Sequence, residues 1–132
     1  MSGRAALALD LCLVFIGGGF GAVFRWSVAR LTLLISGTEF PWATLFVNLF
    51  GCLMVGFVVG ALNAGLLPSR LRPIFVAGFI GGLTTFSAYA YGVFEYGRRG
   101  HFSAALLQIG LENILGIALV AAGLRLASLL RP

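Results

Sequence analysis

The chain has 132 residues, 60% of them hydrophobic and only 10% charged, with a net charge of +5. Soluble domains carry about 25% charged residues, so the charges here are too few to coat a soluble globule. Disordered chains are poor in apolar residues and are excluded from the other side. The composition indicates an all-α integral membrane protein, and the length holds one domain. All the basic residues are arginines, in runs of no more than two. They read as contacts with anionic headgroups at the membrane boundaries, and no nucleic-acid partner is expected.

A helix needs about 20 apolar residues to cross the hydrocarbon core. Four stretches qualify, at about 7–34, 42–62, 73–96 and 102–129, which predicts a multi-pass protein of the cell inner membrane. Turn chemistry separates them: Ser36 and Gly37 with Pro41, then Asn63, Gly65 and Pro68, then Gly97, Arg98, Arg99 and Gly100. Trp26, Trp42, Tyr91 and Tyr96 fall near the predicted ends, where amphipathic rings prefer to sit. Arg4, Arg70, Arg72, Arg125 and Arg131 would share one side of the membrane, and Arg25, Arg30, Arg98 and Arg99 the other. Such an even split gives almost no orientation preference, so two oppositely inserted copies can pair about an axis in the membrane plane.

In the first stretch Gly17, Gly18, Gly19 and Gly21 allow close backbone approach to a neighbouring helix. Asp10 and Arg25 lie towards its ends and are expected to reach the interface. Cys12 and Cys52 read as small apolar residues. In the second stretch Thr44 and Asn48 are four apart and share a face. Asn48 reads either as interhelical adhesion or as an anion ligand, since its amide can donate two hydrogen bonds.

The third stretch is the most informative, running Gly78-Phe79-Ile80-Gly81-Gly82-Leu83-Thr84-Thr85-Phe86-Ser87-Ala88-Tyr89. A glycine pair followed by two threonines and a serine is a poor continuous helix, so a break within this run, near the middle of the third helix, is expected. Carbonyls freed there suit a hard cation, whereas the N–H groups opening the next half-helix suit an anion. Phe86 and Tyr89 share a face, and ring edges are electropositive. In the fourth stretch Gln108, Glu112 and Asn113 lie mid-crossing. An ionised Glu112 would repel an anion, so an anion path requires it neutral or paired with a cation. Glu95, Arg98, Arg99 and His101 read as a solvated loop.

These segments, with Gly18-Gly19-Phe20-Gly21-Ala22-Val23-Phe24-Arg25-Trp26 and Trp42-Ala43-Thr44-Leu45-Phe46-Val47-Asn48-Leu49-Phe50-Gly51, resemble the small dual-topology fluoride channels called Fluc or CrcB. The resemblance covers essentially the whole chain. It implies an antiparallel, dual-topology dimer of four-helix copies, with the third helix broken near its middle and two pores at the interface. It further implies that Asn48 donates to fluoride, that Phe86 presents a ring edge to it, and that Thr44 and Ser87 are polar neighbours. Arg25 matches a vestibule arginine. Main-chain carbonyls of Gly81 and Thr84 from both copies would hold one structural Na⁺.

The family run usually continues Thr-Thr-Phe-Ser-Thr-Phe, whereas Ala88 and Tyr89 occupy the last two places here. Tyr89 adds a hydroxyl able to donate to the ion. Gln108 and Glu112 take the fourth-helix pore positions by spacing. The implied function is passive export of cytoplasmic fluoride, without enzymatic chemistry. Two rivals remain open: a proton-coupled small-molecule exporter using Glu112, and a non-conducting subunit that pairs with a paralogue.

Overall fold

A computed structural model of the protein describes residues 3–36 and 41–130. Gly37, in the first predicted turn, and Arg131, counted among the boundary arginines, lie outside the described residues. The first helix, α1, is Gly3–Ser36, and the second, α2, is Trp42–Asn63. A turn at Gly65, whose φ of 74° favours a residue without a Cβ, leads through a short 3₁₀ turn to α3, residues 73–83. This helix is wound as a π-helix over Pro73–Ile80 and tightens at Gly81–Leu83. After a two-residue interruption α4 runs over Phe86–Arg98. Gly100, with φ 77°, turns the chain into α5, Phe102–Leu129, which carries a π turn at Leu111–Leu115.

Four spans in this arrangement are long and apolar enough to cross a membrane, with α3 and α4 together forming the third. Their outer faces carry exposed large apolar residues such as Phe15, Phe20, Ile114 and Ile117. In water such a surface would aggregate; in lipid it is the solvated face. The chain is a multi-pass integral membrane protein.

Glycine sets how the spans meet. On α1, a Cβ at Gly17 or Gly21 would strike the carbonyls of Ile74 or Phe79, and one at Gly82 would strike that of Gly18. α1 and α3 therefore pack backbone to backbone. The same holds between α2 and the end of α5, where Gly56 faces the Val120 carbonyl and Gly123 faces that of Leu53. α2 is the most enclosed span. It contributes Val58 and Leu62 to a small core completed by Ile80 of α3, with Met54, Val55 and Phe79 around it.

The third crossing is interrupted near its middle, as expected, and within the quoted run the extended residues are Thr84 and Thr85. Gly81 and Gly82 are helical; Thr84 (φ −81°, ψ 154°) and Thr85 are extended. The threonines supply the reason themselves. Thr84 Oγ1 donates to the Ile80 carbonyl at 3.0 Å, closing the end of α3. Thr85 caps α4, its Oγ1 accepting from Ala88 N–H at 3.3 Å. Glycine at 82 answers to close packing on Gly18, not to a broken backbone.

Candidate functional site

The interruption is held from outside by α2. Asn48 Oδ1 accepts from Thr85 N–H at 2.8 Å, and Asn48 Nδ2 donates to the Thr85 carbonyl at 3.3 Å. In a continuous helix Thr85 N–H would close on the Gly81 carbonyl. It is committed to Asn48 instead. Likewise Ala88 N–H, which would close on the Thr84 carbonyl, goes to Thr85 Oγ1. The carbonyls of Gly81 and Thr84 are therefore deprived of their usual helical donors. Gly51, one turn beyond Asn48, leaves room for this arrangement, because a Cβ there would strike the Thr84 methyl.

A cavity of about 440 Å³ opens beside the interruption. Asn48, Gly81, Thr84, Thr85, Phe86, Tyr89, Glu112 and Asn113 all line it. The Phe86 and Tyr89 rings lie 5.5 Å apart at an interplanar angle of 56°. Phe86 is 79% exposed, so its ring stands at an open wall of the cavity. Glu112 lies against the Asn48 amide, and its Oε1 is buried without a hydrogen-bond partner. Among the described residues, no arginine or histidine lines this cavity.

A second cavity, of about 350 Å³, shares Thr85 with the first and is lined by Arg25, Trp26, Thr44 and Ala88. Arg25 turns towards α3. Its Nε donates to the Gly82 carbonyl at 3.2 Å, 57 residues along the chain, because α1 packs closely enough on α3 to bring the guanidinium to the end of that helix. A third cavity, of about 450 Å³, shares Thr44 and Ala88 with the second and reaches Tyr91, Glu95 and Arg99. The three form a chain of compartments from the end of α4 to the helix interruption, with Thr44 and Thr85 in the shared walls. Towards that outer end Glu95 accepts from Arg98 at 3.0 Å and pairs with Arg99 at 3.5 Å.

A family model described as CrcB-like protein, Camphor Resistance (CrcB), matches residues 12–124. The chain belongs to the CrcB-like family. Proteins named fluoride-specific ion channel FluC are similar to it over most of their length. The one from Azobacteroides pseudotrichonymphae is 39% identical over 112 residues, covering 84% of this chain and 90% of its own. That from Maridesulfovibrio salexigens is 36% identical over 115 residues, covering 86% and 91%. That from Dehalococcoides mccartyi is 32% identical over 123 residues, covering 92% and 95%.

In this CrcB-like chain the residues singled out from sequence distribute unevenly. Asn48, Phe86, Tyr89, Glu112, Gly81 and Thr84 converge on one cavity, and Arg25 and Thr44 on the next. Ser87 is exposed and meets Thr85 Oγ1 at 3.2 Å. Gln108 is fully buried over Gly92, with neither amide atom hydrogen-bonded, and lines none of the three compartments. Two participants were seen in the sequence but given no site role. Thr85 carries an N-cap signal that the neighbouring glycine pair obscured. Asn113 stands beside Glu112 in sequence, yet it is the residue that touches Tyr89, at 2.9 Å.

Proposed function

We propose that the protein is a fluoride-selective ion channel that lets cytoplasmic fluoride leave the cell by passive electrodiffusion. The observation that carries this reading is the cavity at the helix interruption. Its polar wall includes the Asn48 amide and the Tyr89 hydroxyl, beside the Phe86 ring. Fluoride is strongly hydrated, so a dry hole excludes it, and a path must replace its water with donors. Asn48 spends one amide hydrogen on Thr85, and the second, on the side of Glu112, is the one it would share with the ion. The names of the relatives point the same way.

Two copies inserted in opposite senses in the plasma membrane complete the assembly in this reading. The exposed Phe86 ring and the open side of the cavity fit a wall supplied by a second copy, and two pores follow from the symmetry. A structural Na⁺ would be held by the Gly81 and Thr84 carbonyls of both copies. Oxygen donors suit a hard cation, and both carbonyls have lost their usual helical partners. The ion would supply fixed positive charge between the two paths.

Direction needs no coupling. A negative-inside potential of 100 mV is worth about 2.3 kcal/mol per charge, equivalent to roughly fiftyfold in concentration. Fluoride efflux from proteoliposomes containing the purified chain, with Na⁺ present, tests the reading. Efflux well above that of protein-free vesicles is expected; efflux equal to it overturns the proposal. The unpartnered Oε1 of Glu112 favours the proton-coupled exporter as the second reading, and a Glu112→Gln substitution separates the two.

A further inference from the structure

Asn113 has no part in the channel reading, yet it touches Tyr89, which has one. Asn113 Nδ2 donates to the Tyr89 hydroxyl oxygen at 2.9 Å and to the Ile109 carbonyl at 2.8 Å. The second bond fixes which end of the amide faces the pair, because a main-chain carbonyl can only accept. Asn113 Nδ2 has two hydrogens, and both are thereby committed. A phenol has one hydrogen and two lone pairs. With Asn113 donating onto a lone pair, the Tyr89 hydrogen must be directed elsewhere.

Tyr89 and Asn113 both line the cavity that holds Asn48 and Phe86. We propose that Asn113 is a positioning residue that holds the Tyr89 hydroxyl as a hydrogen-bond donor to fluoride, and that this pair raises selectivity for fluoride over larger halides. The inference rests on the channel reading. A ring edge attracts any anion weakly, whereas an O–H donor to an anion makes a short, strong bond. That bond favours the smallest halide, whose charge is most concentrated. Asn113 matters because an unheld hydroxyl can turn away or accept from another donor.

The test compares the unaltered chain with Tyr89→Phe, Asn113→Leu and the double variant in proteoliposomes, reading fluoride and chloride efflux over a range of concentrations. Tyr89→Phe keeps the ring and removes one oxygen. It is expected to lower the fluoride-to-chloride efflux ratio about tenfold, the scale of one hydrogen bond to a charged group. Asn113→Leu should lower the ratio in the same direction, and the double variant should fall no further than Tyr89→Phe alone. Asn113→Ala takes the place of the leucine variant if the latter does not purify as a single species. An unchanged ratio in Tyr89→Phe, or additive losses in the double variant, overturns the inference while leaving the channel reading intact. Absence of fluoride efflux from the unaltered chain overturns both.

Discussion

Asn48 holds both main-chain polar groups of Thr85, accepting from its N–H at 2.8 Å and donating to its carbonyl at 3.3 Å. One side chain of α2 thus secures the interrupted stretch between α3 and α4 and turns its other amide hydrogen to the Glu112 side of the cavity. Aspartate at this position can accept from Thr85 N–H but cannot donate to the carbonyl or to an anion. Asn48→Asp should therefore cost about 1 kcal/mol of stability and abolish fluoride efflux. Asn48→Ala leaves the Thr85 amide without its acceptor and should cost more, about 1–3 kcal/mol. Thermal unfolding in detergent and efflux from proteoliposomes separate the two effects.

Arg25 links α1 to the Gly82 carbonyl and places a positive charge on the cavity shared with Thr44. Arg25→Ala should lower stability by about 1.5–3 kcal/mol, the range for hydrogen bonds to charged groups. It should also reduce fluoride efflux severalfold at low ionic strength. The efflux deficit should shrink as salt is raised, because screening already weakens the attraction in the unaltered chain. Efflux measured at two salt concentrations checks this.

Gly56 and Gly123 set the spacing of α2 against α5, and a side chain at either position meets main-chain atoms rather than a movable group. Gly56→Val or Gly123→Val should destabilise the fold by about 1–3 kcal/mol or prevent it from forming. Nothing lies within 4 Å of the site of a Cβ at Gly97, so Gly97→Ala should stay within about 0.5 kcal/mol. Size-exclusion profiles and melting temperatures of the three variants provide the comparison.

Glu112 faces Asn48 with one oxygen unpartnered. As a channel-wall residue it is replaceable by an uncharged amide of the same shape. Glu112→Gln should keep fluoride efflux within severalfold of the unaltered chain, with no response to an imposed pH gradient in either protein. Gradient-driven transport in the unaltered chain that disappears in the variant would instead establish the exporter.

The four crossings were legible because apolar run length is a local property, and the turn residues between them mark their ends. A break within the third was legible too, because the run from Gly81 to Ser87 is a poor helix. Which of its residues extend was not: they are Thr84 and Thr85, stabilised by an asparagine 37 residues away. Asn48 itself stood out as a polar group in an apolar run, though its grip on Thr85 depends on how α2 lies against α3. Arg25 looked like an interfacial residue by its distance along α1. Its acceptor is brought to it by the close fit of Gly18 on Gly82. Asn113 carried a weaker signal than Glu112 because an amide is the less costly group to bury, yet contact with Tyr89 gives it a specific partner.

Thr85 stands in the wall between two compartments with every polar group engaged: its N–H and carbonyl by Asn48, its hydroxyl by Ala88 and Ser87. A residue tethered on so many sides is a fixed sill, not a door. Whatever moves from the Arg25 side to the Phe86 side must meet a threshold of constant shape. Discrimination there falls to size and to the cost of shedding water, and the backbone need not swing for each passage.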